Sequence, residues 1–168
     1  TKVFLVSIVI TAKLPMTIVV SLDGIEVAIS GAMALPHDLV VPFEEATHGY
    51  LVEGYGLSEC SPVLMANPVA DNRVPGTVGL PLPGTECRVV DPENPSEDVP
   101  PGTAGELVVR GPQVFSGYYG KPEETEAVFV DGWYRTGDIV TIDDAGFLEQ
   151  IAEHQHGDER RDWREEQI

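Results

Sequence analysis

A chain of 168 residues, 42% apolar and 23% charged, has room for one domain with a sizeable core or for two small lobes, and is neither collagen-like nor low-complexity. Its net charge of −18, with no Lys or Arg between Lys13 and Arg73, repels phosphate backbones and anionic bilayers. That balance argues against a nucleic-acid partner and a membrane-surface role, and reads most simply as a solubilising surface.

The first segments are apolar and β-branched: VFLVSIVI (Val3 to Ile10), TIVV (Thr17 to Val20) and IEVAIS (Ile25 to Ser30). Continuous Val/Ile runs predict strands buried on both faces, as in a parallel sheet covered by helices. Lys13 and Pro15 interrupt the apolar stretch before membrane-spanning length, so no membrane span is predicted. Between His37 and His48, Leu39, Val40, Phe43 and Ala46 recur at helical spacing, although Pro42 should break or kink a helix there. Tyr50 to Glu53 then reads as a short strand ending at Gly54. Strand, helix, strand is α/β architecture.

From about Asn67 the character changes. VPGTVGLPLPG (Val74 to Gly84) is punctuated by Pro and Gly, and strand candidates follow at Glu86 to Val90, Gly105 to Arg110 and Val114 to Tyr119. The intervening DPENPSEDVPPGTAG reads as a polar loop. Short strands at this spacing predict a small antiparallel barrel or sheet. Pro122 to Phe129 reads as a helix, with Pro at the first turn and Glu123 and Glu124 at its positive end. Asp131-Gly132 turns the chain back toward Tyr134, and a hairpin is expected from Asp138 to Ile151 around Asp-Ala-Gly. The last stretch, HQHGDERRDWREEQ, has almost no apolar residue except Trp163 and reads as a solvated tail. The expected organisation is a partial α/β lobe over 1–70, a β-rich subdomain over 71–149 and a polar tail over 150–168. Cys60 and Cys87 show neither metal-ligand nor redox spacing, and His154 and His156 form only a non-specific metal pattern. Free thiols in a reducing, cytoplasmic compartment are the expectation.

Four segments, in this order, resemble the adenylate-forming superfamily of acyl-CoA synthetases, luciferase-like enzymes and peptide-synthetase adenylation domains. They are SGAMALP (Ser30 to Pro36), EGYGLSE (Glu53 to Glu59), GELVVRGPQVFSGYY (Gly105 to Tyr119) and GWYRTGD (Gly132 to Asp138). EGYGLSECSPVLMANP looks especially like bacterial long-chain fatty-acid–CoA ligases. The resemblance covers about Ile25 to Glu149. It implies an incomplete large N-terminal domain, with part of a helix-flanked sheet and a small distorted β-barrel. The implied substrates are a fatty acid, ATP and CoA, with Mg²⁺; another carboxylic acid remains the alternative.

The implied nucleotide site consists of Gly31, Ala32, Gly54, Tyr55, Gly56, Ser58 and Asp138, with Glu59 as the Mg²⁺ ligand. A Tyr ring at 55 can stack on adenine. Glycines at 54 and 56 permit turns and close backbone approach. A Ser58 hydroxyl suits a phosphate oxygen, a Glu59 carboxylate suits Mg²⁺, and an Asp138 carboxylate suits two ribose hydroxyls. Arg135 is expected in a scaffold ion pair. Met33, Leu35, Val114 and Phe115 are expected in the core, Trp133 in packing, Tyr118 and Tyr119 under the barrel, and GELVVRG in the fold rather than the chemistry.

The family's phosphate loop, TSGTTGxPKG, does not occur in the 168 residues. Where an Ile-x-Asp-Arg-x-Lys hinge should follow GFLE (Gly146 to Glu149), the chain reads QIAEHQHG, and neither Lys2, Lys13 nor Lys121 lies in the context of the catalytic lysine. The expectation is a ligase segment, or a non-catalytic remnant of one, that does not complete the reaction alone.

Overall fold

The computed structural model describes residues 25–31, 35 and 37–153. The strands expected at Val3 to Ile10 and Thr17 to Val20, the core role of Met33, the site residue Ala32 and the tail beyond 153 lie outside them.

Two sheets organise the chain. In the first, β1 (Val27–Ser30) runs parallel to β2 (Tyr50–Gly56), which pairs antiparallel with β3 (Val63–Ala66), and β3 with the short β4 (Leu80–Pro81). The crossover from β1 to β2 contains α1 (His37–Thr47), as a parallel connection requires. Pro42 lies inside this helix and does not end it. Its ring removes one donor, to the Asp38 carbonyl. The C-terminal end is nevertheless closed by Thr47 Oγ1 donating to the Phe43 carbonyl at 2.9 Å and His48 N donating to Glu44 at 2.8 Å.

The second sheet is six-stranded and barrel-like, ordered β10-β9-β7-β5-β6 with β8 also on β9. Its members are β5 (Glu86–Asp91), β6 (Asn94–Asp98), β7 (Gly105–Arg110), β8 (Phe129–Val130), β9 (Trp133–Ile142) and β10 (Leu148–Glu153). All pairings are antiparallel. The short helix α2 (Pro122–Ala127) precedes β8. Asp131 and Gly132, at φ 51° and 79°, turn β8 into β9 with the two positive angles of a type I′ turn.

Several boundaries differ from the sequence expectation. The strand expected to stop at Gly54 runs on to Gly56, and β3 was not expected at all. The stretch read as a polar loop after Val90 contains β6, because Arg88 anchors it through Asp98 (2.7 Å) and the Ser96 carbonyl (3.2 Å). Val114 to Tyr119 is not a strand. Its amides bond elsewhere, Phe115 N to the Glu59 carbonyl at 2.7 Å and Tyr118 N to Thr125 Oγ1 at 2.9 Å. The helix expected to reach Phe129 ends at Ala127, since Phe129 pairs with Tyr134. At the far end β10 carries ordered pairing to Glu153, past the expected start of the tail at Gln150, with a bulge between Gln150 and Ala152.

One apolar core spans both sheets. Tyr55, Cys60, Leu64 and Met65 from the β2–β3 region pack with Val89, Leu107, Val109, Tyr134, Val140 and Leu148 of the barrel. Backbone bonds stitch the same seam: Val78 N to Leu148 O at 2.8 Å, and Leu148 N to Gly79 O at 3.2 Å. Val114 and Phe115 pack against this core as expected, and so does Tyr118. Tyr119 does not; it is fully exposed.

Candidate functional site

The site grows from the carboxyl ends of the two parallel strands, where open α/β sheets leave a crevice for ligands. Ser30 is level with Glu53, so Gly31 and Gly54 follow side by side. A Cβ on Gly31 would lie 3.2 Å from the Gly54 carbonyl. The two form a patch of backbone without side chains. Gly56 has a different reason to be glycine: a Cβ there would come within 1.8 Å of the Pro62 carbonyl. Its missing side chain accommodates the returning chain of β3 rather than a turn, and Gly54 likewise sits within a strand.

Tyr55, between these glycines, points into the core and is 8% exposed. Its hydroxyl donates a hydrogen bond to Asp138 Oδ2, joining β2 to β9 across 83 residues of sequence. Burial, reinforced by the Asp138 carboxylate, pushes the Tyr55 hydroxyl far above the usual phenol range, so it remains a donor at any working pH. A carboxylate has about four acceptor positions, and Tyr55 takes one of them on Asp138.

After Gly56 a single turn of 3₁₀ helix, Ser58–Cys60, exposes the Ser58 side chain and half-buries Glu59. Glu59 Oε1 accepts from the Tyr118 hydroxyl at 3.1 Å, while its backbone carbonyl takes the Phe115 amide. Phe115 stacks edge-on against Tyr118 (4.9 Å) and Tyr134 (5.3 Å), so an aromatic cluster fixes the wall behind Glu59. Burial, with Glu59 adding to it, raises the Tyr118 and Tyr134 hydroxyls and pushes the Cys60 thiol up to about 11.

Among the described residues no group of three or more His, Cys, Asp or Glu side chains is placed to hold a metal. The donor set at Glu59 therefore fits only a cation that brings most of its own ligands. That describes Mg²⁺, which keeps several waters and is commonly held by one or two carboxylates together with substrate phosphates.

The structure thus brings Gly31 beside Gly54 and Tyr55 onto Asp138, with Ser58 and Glu59 on the turn that follows. Arg135 is in an ion pair, as expected: its Nε lies 3.1 and 3.0 Å from the oxygens of Glu106, and its Nη2 reaches the Pro92 carbonyl at 3.2 Å. Trp133 packs under the Arg110 and Arg88 guanidinium groups, at 4.5 and 5.3 Å from its ring. Two contributors escaped the sequence reading. Tyr118 contributes a hydroxyl to Glu59 as well as packing. Glu106, a carboxylate within the buried Gly105 to Val109 stretch of β7, is fully buried; its place beside the apolar Leu107-Val108-Val109 run is the signal in the sequence.

Comparison with known proteins shows the family. The chain belongs to the AMP-binding enzyme family, which matches residues 7–119. It is 47% identical to a long-chain-fatty-acid–CoA ligase of Bacillus subtilis (strain 168) over 76% of this chain and 22% of that protein. It is 42% identical to a mitochondrial malonate–CoA ligase of Mus musculus, over 74% of this chain and 24% of the other. The crystal structure of ATP-bound MatB from Rhodopseudomonas palustris superposes with a TM-score of 0.70 at 38% identity, covering 76% of this chain and 25% of that one. The chain spans about a fifth to a quarter of the length of these relatives.

Proposed function

We propose that this chain supplies the adenosine-binding part of an AMP-forming acyl-CoA ligase. In that reaction a carboxylate oxygen attacks the α-phosphorus of ATP and pyrophosphate leaves. The thiol of CoA then attacks the acyl carbon of the acyl-adenylate, and AMP departs. No covalent enzyme intermediate is needed, so the protein's work is positioning and charge stabilisation. The bond from Tyr55 to Asp138 carries the reading. It unites the two motifs that the resemblance assigns to one nucleotide, although 83 residues separate them.

In this reading Asp138 accepts from the ribose hydroxyls and Tyr55 holds its carboxylate in place. The Gly31–Gly54 patch, with Ala32 following, lets adenine approach the backbone, and the remaining face of Tyr55 borders it. Gly56 lets β3 return close beside β2, and the Ser58 hydroxyl on the turn that follows reaches a phosphate oxygen. Glu59, braced by Tyr118, would hold Mg²⁺, which neutralises phosphate charge when bound. A long-chain fatty acid is the substrate we favour, because the 47% identity is to such a ligase. The malonate–CoA relative makes another carboxylic acid the second reading. A cytoplasmic location agrees with Cys60 and Cys87 being free thiols.

Calorimetric titration of the chain with AMP tests the reading. Binding is expected, weakened about tenfold or more by Asp138→Asn, a loss on the scale of one charge-assisted hydrogen bond. It is also expected to weaken in Gly31→Val, which fills the patch. Absence of AMP binding, or binding indifferent to both changes, would overturn it. The 168 residues alone are expected to give no fatty-acid-dependent ATP–pyrophosphate exchange, because neither a phosphate loop nor the catalytic lysine lies within them. Robust exchange lost in Glu59→Gln would refute that expectation.

A further inference from the structure

We propose that Glu106 is a positioning residue, whose buried carboxylate clamps the bulge in β9 that aims Asp138 at the nucleotide. The inference rests on the reading of Asp138 given above and adds a residue to which the resemblance assigned only a fold role.

The pairing of β7 with β9 breaks at one place. Glu106 stands opposite Ile139, and Val108 opposite Arg135, so two steps along β7 are matched by four along β9. The extra residues fall in Thr136-Gly137-Asp138. Bulges bend a strand and re-aim side chains, and they leave backbone donors without ladder partners. Here one such donor is met from β7 and another within the bulge, which a side chain also ties to β7. Glu106 Oε1 accepts the Gly137 amide at 3.3 Å, and Thr136 Oγ1 donates to the Leu107 carbonyl at 2.8 Å. Asp138 N closes the loop by donating to Thr136 Oγ1 at 3.1 Å. Gly137, at φ 77°, takes a conformation that favours glycine, so this stretch has its own shape rather than a strand's.

A single carboxylate therefore does two things. It neutralises Arg135, three residues before Asp138, and it holds the amide immediately before Asp138. Glu106 is 0% exposed and Asp138 is 6% exposed, so water cannot readily substitute for the clamp. If the ion pair served stability alone, an apolar pair of similar volume could replace it, often at little cost. Holding Gly137 requires an acceptor at position 106, which separates the two roles.

Two double variants make that separation: Glu106→Leu/Arg135→Met removes the charge pair and the acceptor, and Glu106→Gln/Arg135→Met removes the charges but keeps an acceptor for Gly137. Two readouts are taken on the intact 168-residue chain. The first needs no ligand: the downfield NMR signal of the Tyr55 hydroxyl proton on Asp138, assigned by its loss in Tyr55→Phe. The second is the ratio of affinities for AMP and 2′,3′-dideoxy-AMP, expected to be about tenfold or more in the unmodified chain. Both readouts are expected to survive in the Gln/Met variant. In the Leu/Met variant the hydroxyl signal should be lost and the ratio should fall toward one, at a similar melting temperature. Retention of both in Leu/Met would overturn the clamp, as would their loss in both variants alike. If Leu/Met does not fold, Glu106→Asp replaces it; it keeps the charge for Arg135 but withdraws the acceptor from Gly137, and unchanged readouts there would equally overturn the clamp. Failure of AMP binding in the unmodified chain would sink the functional reading while the hydroxyl signal still judges the clamp.

Discussion

The sheet that starts at β1 and the barrel-like sheet solve opposite problems, and the candidate site lies where they meet. The barrel buries β7 from Gly105 to Val109 and includes a charged residue, Glu106, whose carboxylate is paired and hydrogen-bonded. The smaller sheet leaves Ile29 43% and Val63 41% exposed, and its helix exposes Val41. It gathers glycines where the barrel gathers branched side chains. Backbone bare of side chains belongs to the glycine-rich sheet, while Asp138 stands on β9 of the barrel. A position fixed within a fraction of an ångström needs packed, satisfied surroundings, and β7 with its neighbours provides them for β9.

The largest expected effect breaks the barrel. Leu107→Ala empties a fully buried site and should cost about 3 kcal/mol in urea unfolding, whereas Ile29→Ala on the smaller sheet should cost less than about 1 kcal/mol. Equal costs would erase the contrast. Next comes the seam of the smaller sheet. Gly56→Ala drives a Cβ into the Pro62 carbonyl, and should cost about 2 kcal/mol, whereas Gly31→Ala, whose Cβ would meet the Gly54 carbonyl at 3.2 Å, should cost less than about 1 kcal/mol. Asn67→Ala tests the loop that closes this sheet. Its buried amide donates to the Thr77 carbonyl at 2.8 Å and to Glu53 at 3.1 Å, and accepts the Val74 amide at 3.0 Å. Its loss should cost about 2 kcal/mol.

The pH dependence is smaller and one-sided. Cys60 rises from 9.0 unfolded to about 11 folded, and Tyr55, Tyr118 and Tyr134 rise above 10.0. The folded state therefore binds these protons more tightly. Their contribution to stability is complete below pH 9 and is lost as pH rises through the folded values. Denaturant midpoints should be flat from pH 7 to 9 and fall above it, and Cys60→Ala should flatten the part between 9 and 11. The smallest effect belongs to the exposed Arg110–Glu86 pair at 2.6 Å: Glu86→Gln should leave the midpoint unchanged within error.

Much of this molecule was legible in one dimension. The Val-rich runs marked β1, β5 and β7, the turn at Asp131-Gly132 followed from residue type, and the four ordered segments identified the family. Legibility failed where a distant partner overrode local preference. Val114 to Tyr119 looks like a strand, but Glu59 and Thr125 take its amides. Asn94 to Asp98 looks like a loop, but Arg88 holds it against β5. Tyr119 and Tyr118 are adjacent aromatics, yet only Tyr118 meets an acceptor and a ring to pack on.

The sequence by itself determined the family, the order of the motifs and the residue types that suit a nucleotide. Those properties reside in local chemistry and spacing. Tertiary structure alone decided that the Tyr55 hydroxyl meets Asp138, that Gly56 accommodates Pro62, and that Glu106 fills a bulge three residues long. Each depends on how strands are set against one another, and a one-residue slip in register would turn the same side chains to the opposite face.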